Sequence, residues 1–280
     1  MKPPLNYFGG KIALAERIVD LLPVHRHYVE PFAGSLAVLL AKPPVHMETV
    51  NDIDQELMTF WRMLREQPAE LIRVCSLTPH SRAEEAAAYD SDTVTELECA
   101  RRVWVKLTQG RTGTLKRSGW HYCQDPAGLN SSVPERLASF VRRLEPVAQR
   151  LQRVTLECRD AMDVIADYGR HREVLIYVDP PYLSSTRPAS PTNYSHEAGT
   201  EAAHRGIAAA LHACAASVVV SGYDSPLYEV LYAGWDSVRF QTSTRRGGRL
   251  SPRVEVLWSN RELEATTLFS NGAAGYGWPE

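Results

Sequence analysis

HYVEPFAGSLAVLLAKPPVHMETVNDID, residues 27–54, decides the fold. Residues 27–30 read as a short strand, 31–35 as a turn around Gly34, and 36–41 as the start of a helix. Residues 45–50 read as a second strand. It is followed by Asp52 and Asp54 and then by a long helix over 55–66. A strand, helix and strand in that order make a βαβ unit, which implies a parallel sheet. Glycine at a strand-to-helix turn lets backbone approach a ligand, and the helix N-terminus offers free N–H groups. One glycine is not the three-glycine dinucleotide fingerprint, and the chain has no GxxxxGK[ST] phosphate loop. Asp52 stands 18 residues after Gly34, where a carboxylate can accept both hydroxyls of a ribose. Asp54 stands directly before a helix and reads as its cap.

The α/β pattern returns after residue 150. Residues 154–157 read as a strand, followed by Asp160 and a helix to 168. Then comes LIYVDPPYLSS, residues 175–185. Its apolar, β-branched first half suits a strand buried on both faces. Pro180 and Pro181 end strand pairing at once, because proline has no N–H and a fixed φ. The residue before a proline is held extended. Asp179 is therefore a rigid carboxylate at the carboxyl end of a central strand, where open α/β sheets bind ligands. A helix over 204–213, a strand over 217–221 and a hairpin from 235–241 and 254–258 follow. Near the N-terminus a helix is expected over 12–22, ended by Pro23, and residues from 260 onward read as a loose tail.

Between residues 67 and 150 the pattern breaks. Helical stretches at 83–89, 96–107 and 134–151 flank a glycine- and base-rich region at 108–120 without a clear period. This segment reads as an insertion into the α/β domain. Formal net charge is −2, yet two stretches carry bases and no acids. One, over 99–124, holds Arg101, Arg102, Lys106, Arg111, Lys116 and Arg117; the other, over 237–254, holds Arg239, Arg245, Arg246, Arg249 and Arg253. Basic stretches in a mildly acidic chain suit a polyanion held on one side. The five cysteines form no CxxC pair, so reduced thiols in a cytoplasmic protein are expected, with neither disulfides nor structural zinc. His196, Glu197 and His204 do not have zincin spacing, so no metal site is expected. No run of about 18 apolar residues suggests a membrane span, and the N-terminal segment shows no apolar signal core. Trp61 and Trp104 are expected in the core, while Trp120 borders the basic loop.

NYFGGK (6–11), VEPFAGS (29–35), VNDID (50–54) and VDPPY (178–182), in this order, resemble the Dam-like, D12 class of DNA adenine-N6 methyltransferases over residues 6–260. The resemblance implies a Rossmann-like, S-adenosylmethionine-dependent methyltransferase sheet. Residues 1–66 and 151–280 would form the catalytic domain, with a mainly helical DNA-recognition insertion at 67–150. Tyr7 and Lys11 would line the cofactor site, with Glu30, Phe32 and Gly34 around its methionine part. Asp52 would hold the ribose, Ile53 would pack on the adenine and Asp160 would read the adenine amine. Asp179, Pro180 and Tyr182 would form the methyl-transfer site. Arg111, Lys116, Arg117, Arg245 and Arg246 are the candidates for contact with double-stranded DNA. The segments 193–197 and 217–222 also resemble the family. The family's glycine motif often has a second glycine two residues after the first, and this chain has Leu36 there.

An exocyclic amine is a poor nucleophile because its lone pair is delocalised into the ring. Asp179 and the Pro180 carbonyl can accept from its two N–H groups and stabilise the charge that grows in transfer. Tyr182 offers a face for the base, and a base inside a duplex must be flipped out to arrive there. Cytosine-N4 methylation needs the same corner, and glutamine-N5 methylation uses a related one, usually with Asn in place of Asp179. A DNA-binding relative without catalysis is the alternative from another class. The FGGK start and the basic insertion favour adenine in DNA, handled by a monomer without metal or membrane.

Overall fold

The computed structural model describes residues 1–124, 131–182, 199–246 and 249–263; the side chains of 243–246 and 249–252 lie outside that description. Seven strands form one sheet: β1 (His27–Glu30), β2 (Met47–Asn51), β3 (Thr155–Glu157), β4 (Val174–Val178), β5 (Ser217–Tyr223), β6 (Asp236–Arg246) and β7 (Arg249–Ser259). Their spatial order is β3-β2-β1-β4-β5-β7-β6. The first five run parallel, and β7 enters antiparallel between β5 and β6. Strand order reverses between β1 and β4. Above the carboxyl ends of those two strands the chains leave in opposite directions and open a crevice.

β4 is buried along its whole length, and its side chains alternate between two apolar layers. Leu175 and Tyr177 join the core formed with α2 (Ala37–Ala41), α3 (Gln55–Glu66), α6 (Glu96–Gln109) and α7 (Val133–Leu151). Val174, Ile176 and Val178 join the core formed with α8 (Ala161–Tyr168), α9 (Glu201–His212) and α10 (Pro226–Leu231). Helices on both faces explain why β4 reads as a continuous apolar run. The 67–150 segment shares the first of these cores: Val103, Trp104 and Leu144 pack in it with Phe60 and Trp61. Asp54 caps α3 by accepting from Leu57 N–H at 3.1 Å, as its position predicts.

Three expectations need correction. The first helix, α1, spans only Ala15–Val19, because Lys11 and its neighbours are held in a turn, with Leu14 N–H bonded to Lys11 O at 2.9 Å. Two helices were not expected, α4 (Pro68–Leu77) and α10. Each begins on a proline in its first turn, where the missing N–H costs nothing, so a residue that breaks helices elsewhere starts one here. The tail is not loose at its beginning. Asn260 Oδ1 accepts from Val218 N–H at 2.9 Å and its amide donates to Ala216 O at 3.0 Å, which ties it to β5. The segment 193–197 and residues 264–280 lie outside the described residues.

Candidate active site

One pocket occupies the crevice at the strand-order reversal. Its walls come from the 6–11 loop, the turn after β1, residues 52–54 after β2, and Tyr177 to Tyr182 at the end of β4. Asn51, the last residue of β2, ties the turn after β1 to the chain leaving β3. Its side-chain amide donates to Pro31 O and Arg159 O, both at 3.0 Å, and its oxygen accepts from Arg159 N–H at 2.9 Å. The ends of β1, β2 and β3 are thereby fixed to one another.

Gly34 has a left-handed backbone with φ +47°, and a side chain there would press on the Tyr7 ring at 3.1 Å. Glycine is favoured on both counts. Asp52 Oδ2 accepts from Gly34 N–H at 3.0 Å and Oδ1 accepts from Asp54 N–H at 3.1 Å, so this acid also shapes the turn. Trp61 Nε1 donates to Gly34 O at 3.1 Å from below. Leu36 is left-handed as well, with φ 58°, although it carries a side chain. The backbone follows the path a glycine would take, at a strain of about 1–3 kcal/mol. Leu36 is 0% exposed, and that apolar burial offsets the strain.

Glu30 is buried in the wall beside this turn. Its Oε1 accepts from Tyr28 OH at 2.5 Å and Leu39 N–H at 2.9 Å. Burial raises its carboxyl to about 7, against the pull of those two bonds. Among the described residues, Oε2 has no hydrogen bond and can take an ammonium group. Ile53 is 41% exposed at the pocket rim and offers an apolar surface for a flat ring.

At the far wall lies the Asp-Pro-Pro-Tyr corner. Lys11 Nζ is 2.6 Å from Asp179 Oδ1 and 2.8 Å from Tyr182 OH, and it also reaches Glu255 Oε1 at 3.3 Å. Burial opposes its charge, but Asp179, Tyr182 and Glu255 outweigh that and hold its pKa well above the ordinary lysine value. Burial pushes the Asp179 carboxyl up to about 6, Lys11 pulls it down, and Glu255 pushes it up again. Tyr182 is stacked on Tyr223, with ring centroids 4.3 Å apart and planes 13° from parallel. A rigid anionic acceptor, a cation behind it and an aromatic plate beside it can orient a planar molecule with an exocyclic amine.

Of the expected site residues, Tyr7, Lys11, Glu30, Phe32, Gly34, Asp52, Ile53, Asp179, Pro180 and Tyr182 all line this pocket. Lys11 is in contact with the Asp-Pro-Pro-Tyr corner itself. Asp160 is not among the lining residues: it caps α8, with Oδ1 accepting from Met162 N–H at 2.7 Å. Sequence reading missed Glu255, Tyr177 and Tyr223. Glu255 had a signal, because it shares a face of β7 with the core residue Leu257.

The basic stretches divide. Arg101, Arg102 and Lys106 are paired with Glu98, Glu84, Asp92 and Glu56. Arg111, Lys116 and Arg117 are exposed in the loop after α6. Gly113 O in this loop accepts from Phe8 N–H at 2.8 Å, which joins it to the 6–11 loop. Arg245 and Arg246 are on the backbone of β6, and their side chains lie outside the described residues. His204, on α9, bonds Tyr228 OH through Nδ1 at 2.7 Å. Among the described residues no group of three or more His, Cys, Asp or Glu could hold a metal ion, and no helix is long and apolar enough to cross a membrane.

A doubly wound α/β sheet with a pocket at its switch point and an acidic, aromatic corner beside it defines a Rossmann-like enzyme class. Residues 7–244 match the D12 class N6 adenine-specific DNA methyltransferases, and the chain belongs to that family. Type II methyltransferase M1.LlaDCHI of Lactococcus lactis subsp. cremoris is 23% identical over 91% of this chain and 93% of its own length. The DNA adenine methylase of Vibrio cholerae is 26% identical over 90% and 93%. Type II methyltransferase M.MjaIII of Methanocaldococcus jannaschii is 23% identical over 70% and 74%.

Proposed function

We propose that the protein methylates the N6 amine of an adenine flipped out of a specific double-stranded DNA sequence, with S-adenosylmethionine as donor. The observation that carries this reading is the single pocket in which Glu30, Asp52 and Ile53 lie on one wall and Lys11, Asp179 and Tyr182 on the other. The first group fits the donor: Glu30 Oε2 for its ammonium, Asp52 for its ribose hydroxyls and Ile53 for its adenine. When bound, the donor supplies a methyl group on a sulfonium, already an electrophile.

The chain's own residues do the rest. Asp179 and the Pro180 carbonyl accept the two N–H groups of the target amine and stabilise the positive charge that grows on nitrogen. The prolines hold both acceptors in place, so little reorganisation is needed. Tyr182 stacks on the base. Lys11 keeps Asp179 ionised by placing a cation against one of its oxygens. The catalytic domain is assigned to residues 1–66 and 151–280, and DNA recognition to 67–150. Arg111, Lys116 and Arg117 contact phosphates or bases there, Arg245 and Arg246 assist from the β6–β7 hairpin, and the enzyme acts as a monomer. The test is transfer from labelled S-adenosylmethionine to unmethylated duplex DNA, followed by digestion and identification of the methylated nucleoside. N6-methyladenine supports the reading; N4-methylcytosine or no transfer overturns it.

A further inference from the structure

Glu255 is 3% exposed and has no part in the reading above. It lies on β7 opposite Tyr223 of β5 and Phe240 of β6. Its Oε1 accepts from Ser221 Oγ at 2.8 Å and is 3.3 Å from Lys11 Nζ. A buried carboxylate on a core face is a poor device for stability, since an apolar residue of similar volume often does as well or better. Lys11 has three N–H groups, and Asp179, Tyr182, Gly9 O and Glu255 all lie within reach of them. The partners therefore share the ammonium.

We propose that Glu255 is a positioning residue for methyl transfer: by sharing the Lys11 ammonium with Asp179, it keeps an Asp179 oxygen available to the target amine. This rests on the proposed adenine methylation. Without Glu255, Asp179 is, among the described residues, the one carboxylate left on the Lys11 ammonium, which then sits more firmly on Asp179 and competes with the amine for it. The loss of a neighbouring negative charge also lowers the proton affinity of Asp179 and makes it a weaker acceptor. The charged and titratable groups facing Asp179 are Lys11 from the N-terminal loop, Glu255 from β7, Tyr177 on β4, Tyr182 just after it, and Glu30 on β1. Glu255 also faces Tyr228 of α10. Of these, Lys11 and Glu255 are the two whose charges bear most on the Asp179 carboxyl.

The test is single-turnover transfer from S-adenosylmethionine to unmethylated genomic DNA, measured against pH for the full chain and for Glu255→Gln. The expected result is a plateau rate lower by about tenfold, with the acid limb moved to lower pH by about half a unit or more. Donor affinity should stay within about twofold of the wild type. An unchanged rate, or a lower plateau with an unmoved acid limb, overturns the proposal in favour of a structural role. If Glu255→Gln does not fold, Glu255→Asp keeps the charge at shorter reach. It should lose about threefold or more of the plateau without loss of donor affinity, and a wild-type plateau would overturn the proposal. If the wild-type chain itself transfers no methyl group to DNA, the proposed function fails and the role of Glu255 falls with it.

Discussion

Lys11 and Asp179 are 168 residues apart in sequence, yet Lys11 Nζ and Asp179 Oδ1 lie 2.6 Å apart at the end of β4. The contact joins the N-terminal glycine loop to the Asp-Pro-Pro-Tyr corner.

Asp179 is useful only as a carboxylate, and its pKa of about 6 sets the pH at which that form is lost. Transfer should fall as pH drops through about 6 and reach a plateau above it. Asp179→Ala should reduce single-turnover transfer by about a thousandfold, while calorimetry shows donor binding largely intact. Normal turnover by this variant would remove Asp179 from the mechanism.

Glu30 has its pKa raised by burial to about 7, so the folded protein binds this proton more tightly than the unfolded chain does. The associated stability is fully present below the unfolded value near 4.5 and is lost as pH rises through about 7. A shift of this size corresponds to about 3 kcal/mol. Glu30→Gln keeps an acceptor for Tyr28 and Leu39 but never ionises. Its melting temperature should exceed that of the wild type at pH 8, with the advantage vanishing by pH 5. The same variant should bind S-adenosylmethionine more weakly, by about tenfold or more, because the donor ammonium loses its charged partner. Equal melting curves at pH 8 would show that burial of this acid carries no cost.

Leu36 combines strain with burial, and the two oppose each other when it is replaced. Leu36→Gly relieves about 1–3 kcal/mol of backbone strain but empties a fully buried site, a loss of about 3–5 kcal/mol. A lower urea midpoint is expected. A higher midpoint would mean that strain dominates at this turn.

Arg111 is exposed in the loop that Gly113 ties to Phe8. Arg111→Ala should weaken DNA binding and reduce the slope of log affinity against log salt by about one if it meets a phosphate. If it reads a base instead, the slope holds and sequence preference relaxes. Fluorescence anisotropy over a salt series distinguishes these outcomes, and no change in either would take Arg111 out of the recognition set.

The pocket was legible in sequence because its pieces are local: Gly34 in a turn, Asp52 after a strand, and Asp179 before two prolines. Each announces itself by residue type at an element's end. Helix starts on Pro68 and Pro226 were not legible, because proline marks an end and a beginning alike and only the fold decides which. Asp160 matched the pattern of a ligand-facing acid, yet its carboxylate caps α8, a competing use that sequence does not rank. Glu255 was legible only in part: its spacing from Leu257 marks it as core-facing but does not name its partner. Its partner Lys11 is brought to it only by the closing of the sheet, and the strand that carries it reads as an ordinary hairpin arm. Charge balance was invisible too: the run of bases over 99–124 gives no sign that Arg101, Arg102 and Lys106 are answered by acids from other parts of the fold.

Adenine-N6 methylation in a defined DNA sequence leaves a mark that can be read directly on a genome. Its most direct measurement is expression of the chain in cells that lack DNA methylation, followed by modification-sensitive sequencing of the genome, with Asp179→Ala as control. N6-methyladenine is expected in one recurrent sequence context, present with the wild-type chain and absent with the variant. An unmodified genome, or N4-methylcytosine in place of N6-methyladenine, would contradict it.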